Sequence, residues 1–299
     1  MPETIRHVEH VMGTAVTFDI RGGSCPAVAK ALAEAVAWLH HVDRVFSPYR
    51  PDSQITRIAE GRLTAGERDP DVAGVLRRCE ELERLTGGAF TCRAGGRLDP
   101  SGLVKGWAVE RASTILHDAG ARDHCVNGGG DIQARGEARP GHPWQIGITD
   151  PHHRDRLIAA VTGHDLAVAT SGITERGAHI IDPRDGRPAT GLASITLIGR
   201  HLTDVDALAT AAFAMGDTAR AWTGAHPGIE ALAVASDGSA WWTTGFEDIA
   251  LFLPREHQPP WPKRGAGRRV PVSVWRAVQE RTLVRRPGDG CPAPGMEAR

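Results

Sequence analysis

The chain has 299 residues, 41% of them apolar and 24% charged, which is enough to bury a sizeable core and too apolar for wholesale disorder. Thirty-five basic residues nearly balance thirty-six acidic ones, so no overall charge marks nucleic acid as a partner. Five cysteines with no C-x-x-C pair argue against a structural zinc site or a disulfide framework and suit a reducing compartment.

Residues 1–10 contain no apolar export region, and no run approaches the length of a membrane span, so a soluble, cytoplasmic protein is expected. Residues 8–20 are β-branched and partly alternating and read as one strand, ended by Gly22 and Gly23. Val28, Leu32, Val36, Leu39, Val42 and Phe46 then recur at steps of three or four, the spacing of an amphipathic helix. A second helix follows Pro70, with Val72, Leu76, Cys79, Leu82 and Leu85 on one face and Gly87 and Gly88 as its stop. A third runs from about Gly102 to Asp118. From Cys125 onward short apolar segments alternate with Gly, Asp and Pro, as in C-V-N-G-G-G-D-I, W-Q-I-G-I-T-D-P, L-A-V-A-T-S-G and S-I-T-L-I-G. These read as mostly antiparallel strands. A helix near 204–216, then a second at 217–224, precede a closing strand pair. Helices gathered early and strands late predict an α+β domain over 1–253. Residues 254–299 hold ten basic and four acidic residues among many Pro and Gly, and read as a basic, partly disordered tail.

Four segments carry candidate chemistry, and each has a plain structural alternative. Asn127-Gly128-Gly129-Gly130-Asp131 is either a turn between strands or a backbone cradle for phosphate. Asp99-Pro100-Ser101-Gly102-Leu103-Val104-Lys105 opens the third helix, where Asp or Ser is a natural cap. Lys105 is one of only three lysines, and it faces the positive end of the helix dipole, a poor place for a cation unless an anion binds there. Asp206 and Thr210 stand four apart on one helix face, a spacing that lets a carboxylate and a hydroxyl share a hard cation such as Mg²⁺, or that is merely a first-turn Asp and an incidental Thr. G-A-H-I-I-D-P-R-D-G-R-P (177–188) makes a good hairpin turn and also carries His179.

In order along the chain, M-G-T-A-V-T-F, F-S-P-Y-R-P-D-S-Q-I-T-R-I, T-G-G-A-F, D-P-S-G-L-V-K-G-W-A-V-E-R-A, V-N-G-G-G-D-I, A-T-S-G-I-T-E-R, H-I-I-D-P-R-D-G-R-P and D-A-L-A-T-A-A-F-A-M-G resemble the FAD:protein FMN transferases, the ApbE-type flavin transferases. The resemblance covers about residues 8–250. It implies one compact α+β domain with a flavin-binding cleft, FAD as substrate, Mg²⁺ as cofactor, and transfer of FMN to a Ser or Thr hydroxyl of an acceptor protein with release of AMP. A Mg²⁺-dependent FAD pyrophosphatase and a non-catalytic FAD-binding protein are the alternatives.

By position, the resemblance implies that Asp206, Thr210 and the backbone carbonyl of Gly102 hold the metal. Asp99 and Lys105 match FAD contacts, while Met12, Tyr49, Ala89, Phe90, Thr91 and Ile181 match the cofactor pocket. Asn127, Gly129 and Asp131 would line the same cleft, and His179 matches the base acting on the acceptor hydroxyl. Tyr49, the only tyrosine, is suited to stacking on an aromatic ring of FAD. The chain departs from the family at Thr91, where Asp is common, and in the short run Cys92 to Leu98, where relatives carry a longer loop. The basic tail is expected to be a solvated end, with an acidic acceptor or an anionic membrane surface as its alternative partners.

Overall fold

The computed structural model describes residues 4–23, 25–173 and 180–252. The segment expected to form one strand forms two, β1 (Ile5–Val11) and β2 (Thr14–Ile20), paired from Ile5↔Ile20 to Val11↔Thr14. Met12 and Gly13 make the two-residue loop at φ 54° and 71°. Positive φ at both loop positions matches the twist of flanking strands. Asn or Asp is the usual first residue, and Met is uncommon there, so the sequence conceals the turn.

Helix α1 (Pro26–Phe46) buries Val28, Ala31, Ala35, Leu39, Val42 and Phe46. The short α2 (Gln54–Ala59), which no periodicity announces, starts where Ser53 Oγ accepts from Thr56 N at 3.1 Å. Ser53→Ala is expected to cost about 1 kcal/mol by removing this cap, as read from the denaturant midpoint. Helices α3 (Pro70–Leu85) and α4 (Ser101–Asp118) follow the expected spans. The α4 N-cap position is Pro100 rather than Asp or Ser; Asp99 contributes from one residue further out, its Oδ1 accepting from Ser101 N at 3.0 Å. Trp107 of α4 packs edge-on against Trp38 and Phe46 of α1, with ring centroids 4.9 and 5.3 Å away.

The remaining chain builds two antiparallel sheets. The larger joins β1 and β2 to β3 (His124–Gly128), β4 (Asp131–Arg135), β8 (Leu166–Gly172), β11 (Leu192–Gly199), β12 (Glu230–Ala235) and β13 (Ala240–Trp242), in that spatial order. The smaller holds β5 (Glu137–Arg139), β6 (His142–Thr149), β7 (Leu157–Gly163) and β14 (Ala250–Phe252), in the order β14-β7-β6-β5. Strands β9 (Ile181–Asp182) and β10 (Arg187–Pro188) form a separate hairpin. Three helices complete the described chain: α5 (Leu202–Met215), α6 (Ala219–Gly224) and α7 (Phe246–Ile249).

Period-two alternation divides the core into two layers. On the central strands Ala167, Ala169, Ile195, Leu197, Ala231 and Ala233 pack with the helices. Their neighbours Leu166, Val168, Ile198, Leu232 and Val234 pack with Ile146, Ile158 and Val161 of the small sheet. The large sheet therefore lies between a helical layer and a second sheet, and is buried on both faces at its centre. Helices α4 and α5 lie against each other on the helical side.

Candidate functional site

Two close approaches bring the candidate residues together. At Gly106 of α4, an added Cβ would lie 2.5 Å from the Leu202 carbonyl oxygen and 2.7 Å from Asp206 Cβ. Only a glycine lets α4 and α5 come this close, and its backbone N–H donates to Asp206 Oδ2 at 2.9 Å. At Gly102, one turn earlier, an added Cβ would lie 3.3 Å from Phe90 and 3.8 Å from Thr210 Oγ1. The start of α4 thus faces the middle of α5.

Helix α5 is held in place at its N-terminal end. Glu110 of α4 accepts from Thr203 N at 2.9 Å and from Thr203 Oγ1 at 2.6 Å, and its other oxygen lies 2.7 Å from His201 Nδ1. Gln133 Oε1 accepts from Leu202 N at 3.0 Å. Asp204, next to the start of the helix, pairs with Arg78 of α3 at 2.7 Å. These bonds satisfy the orphan donors of a helix terminus and fix the rotation of α5, which turns Asp206 and Thr210 inward.

The centre of the site is a triad of charges. Asp131, 2% exposed at the start of β4, accepts from Thr170 N at 3.1 Å through Oδ1, and its Oδ2 forms an ion pair with Lys105. Lys105 Nζ lies 3.9 Å from Asp206 Oδ1. Asp206 is 4% exposed. Burial pushes its carboxyl up to about 7 and the Asp131 carboxylate adds to this, whereas the Lys105 ammonium and the Gly106 N–H oppose it. Among the described residues, two buried acids share this one ammonium. Thr210 Oγ1 donates to the Asp206 carbonyl at 3.3 Å and lies 3.5 Å from Ser171 Oγ. Carboxylate, hydroxyl and carbonyl oxygens around an undercompensated acid fit a hard divalent cation.

The other expected residues are distributed around this centre. Ala89 and Phe90 are buried at 2% exposure, and Phe90 N donates to Thr86 Oγ1 at 3.0 Å. Thr91 Oγ1 accepts from Arg93 N, and Asp99 Oδ1 accepts from Ser101 Oγ at 2.5 Å, so both make local turn contacts. Asn127 Oδ1 accepts from Gly130 N at 2.8 Å, which is turn chemistry. Gly129 sits at φ 64°, where a Cβ would lie 2.5 Å from Thr14 Oγ1. Met12 and Thr14 help line a hollow of about 500 Å³ that also includes His10 and Asp43. Tyr49 is 85% exposed, on a loop whose Pro48 carbonyl accepts from Arg97 at 2.5 Å. Arg97 thereby ties the Tyr49 loop to the short run after Thr91. Ile181 is half-buried in β9. His179 lies outside the described residues, as does the tail after Phe252.

Sequence reasoning named Asp131 and Lys105 but missed that they pair, and it missed Gly106 and the place of Ser171 beside Thr210. Ser171 follows from the parity of β8, but only once the sheet order is known. The Asp131–Lys105 pair spans 26 positions and has no local signature. Gly106 had a faint one: glycine inside a helix costs about 1 kcal/mol relative to Ala, and so invites a packing reason.

The layered α+β fold brings Lys105, Asp131 and Asp206 together where α4 crosses α5. The ApbE family model matches residues 12–96 and 92–233, and the chain belongs to the ApbE family. A FAD:protein FMN transferase of Vibrio cholerae is 34% identical over 130 residues, 40% of this chain and 39% of that protein. One from Rhodobacter capsulatus is 32% identical over 183 residues, covering 57% and 35% respectively. One from Treponema pallidum is 33% identical over 180 residues, covering 54% and 50%. The chain thus spans half or less of the length of these curated relatives. The fold matches an ApbE protein from Thermotoga maritima with TM-score 0.73 at 24% identity, covering 83% of this chain and 99% of that one. It matches the flavin transferase ApbE of Vibrio cholerae with TM-score 0.73 at 23% identity, covering 83% and 100%.

Proposed function

We propose that this chain is a Mg²⁺-dependent FAD:protein FMN transferase that moves FMN from FAD to a Ser or Thr hydroxyl of an acceptor protein and releases AMP. The observation that carries the reading is the charge balance at the helix crossing. Thr210 of α5 faces Gly102 of α4 and Asp206 faces Gly106, with the Lys105 ammonium beside Asp206. Family membership and the names of the relatives support the same reaction.

In this reading Asp206, Thr210 and the Gly102 carbonyl hold Mg²⁺, which supplies Lewis-acid neutralisation of charge on the pyrophosphate. Lys105 binds a phosphate oxygen. Met12, Tyr49, Ala89, Phe90, Thr91 and Ile181 wall the cofactor, with Asp99, Asn127 and Gly129 holding the backbone around it. His179 takes the proton from the acceptor hydroxyl as its oxygen attacks the FMN-side phosphorus, and AMP leaves. Residues 1–253 act as one domain. Among the described residues no helix is long and apolar enough to cross a membrane. The four cysteines among the described residues are free thiols, which suits the cytoplasm as the site of action.

The test is incubation with FAD, Mg²⁺ and a candidate acceptor, followed by mass spectrometry of the acceptor. An added FMN with stoichiometric AMP is expected. Free FMN formed at the full rate without acceptor would instead make the protein a pyrophosphatase, and stoichiometric FAD binding without AMP would make it a carrier. Lys105→Ala is expected to weaken FAD binding about tenfold or more by removing a charge-assisted contact, measured by flavin fluorescence titration.

A further inference from the structure

Asp131 is 2% exposed and makes two contacts of different kinds: Thr170 N donates to Oδ1, and the Lys105 ammonium pairs with Oδ2. The backbone bond fixes the carboxylate against β8. Lys105 is on a flexible four-carbon stem and has a second acid within reach, Asp206 Oδ1 at 3.9 Å. The ammonium is closer to Asp131. Asp206 Oδ2 is already taken by Gly106 N, so Oδ1 is the oxygen left to face the cleft.

We infer that Asp131 is a positioning residue that holds the Lys105 ammonium away from Asp206 and so keeps the Asp206 carboxylate available to a divalent cation. The inference rests on the reading of Asp206 and Thr210 as cation ligands. Among the described residues, the next acid in reach of the ammonium once the Asp131 charge is gone is Asp206, and lysine then competes with the cation for one carboxylate oxygen. In this role Asp131 acts through Lys105.

The experiment titrates the full chain with Mn²⁺ alone, reading free Mn²⁺ by electron paramagnetic resonance, with circular dichroism to confirm folding. Asp131→Asn keeps the Oδ1 acceptor for Thr170 and removes the charge; it is expected to raise the Mn²⁺ dissociation constant about tenfold. Adding Lys105→Met to it removes the competitor and should return the constant to within about twofold of wild type, while Lys105→Met alone should tighten it no more than about twofold, a non-additivity that cancelling charges alone would not produce. If Asp131→Asn does not fold, Lys105→Met alone decides: Mn²⁺ binding at least as tight as wild type supports the inference, and weaker binding overturns it. Asp131→Asn binding like wild type, or a double variant as weak as Asp131→Asn, overturns it too; the latter would make Asp131 a cation ligand in its own right. Asp206→Ala separates the two levels. If it binds Mn²⁺ like wild type, or if wild type binds none, the metal reading itself falls and the inference with it.

Discussion

Asp206→Ala is expected to lower FMN transfer about a thousandfold at saturating FAD, with Mg²⁺ no longer altering the residual rate. The size follows from the several kcal/mol that a metal contributes to charge stabilisation in phosphoryl transfer. The position is unforgiving because the carboxylate is buried, accepts the Gly106 N–H and lies 3.9 Å from the Lys105 ammonium. Truncation leaves that ammonium paired with Asp131 and removes the carboxylate beside it. A pH dependence accompanies this. Burial raises the Asp206 carboxyl to about 7, so below that pH a cation must displace a proton, and above it need not. The rise in melting temperature on adding Mg²⁺ should therefore be larger at pH 8 than at pH 6. The metal-free protein behaves oppositely. A carboxyl whose pKa is higher folded than unfolded stabilises the fold fully below the unfolded value near 3.8, and loses that contribution as pH rises toward 7. Asp206→Asn should flatten both trends, and melting curves across that window would show it.

Gly106→Ala is expected to destabilise the protein by about 3 kcal/mol, against helix propensity, which favours alanine by about 1 kcal/mol. The added methyl would lie 2.5 Å from a backbone carbonyl and 2.7 Å from Asp206 Cβ, and neither can move without shifting α5. The same shift would open the Gly102–Thr210 approach, so cation affinity should fall together with stability. Chemical denaturation and Mn²⁺ titration of one variant would test both. A Gly106→Ala protein as stable as wild type would mean that the two helices are free to separate.

Periodicity revealed α1 and α3 because each buries one face, and a buried face leaves a spacing in the sequence. It failed at β1 and β2, where Met12 holds a positive φ that side-chain identity does not advertise. It also missed α2, whose six residues owe their start to a single capping hydroxyl. The site shows the same division. Asp206 and Thr210 share one helix, so their pairing was legible, and Lys105 stood out against an arginine-rich background. Asp131 looked like a loop residue near a cofactor. Its partnership with Lys105 arises only because β4 lies beside β8 under the start of α4, an arrangement set by sheet order. Arg184, in the hairpin turn between β9 and β10, pairs with Asp182 at 2.7 Å and donates to the Ala214 carbonyl at 3.1 Å.

That last bond makes α5 a ruler. Asp206 sits near one end of the helix, and the carbonyl that anchors the β9–β10 hairpin sits near the other, eight residues on. At about 1.5 Å per residue the two are held about 12 Å apart along the axis. Deleting one residue between them would shorten the gap by only about 1.5 Å but would rotate the hairpin anchor about 100° around the helix. The reach from carboxylate to hairpin is thus set by a count of residues, and tolerance to substitution along α5 should far exceed tolerance to any change in its length.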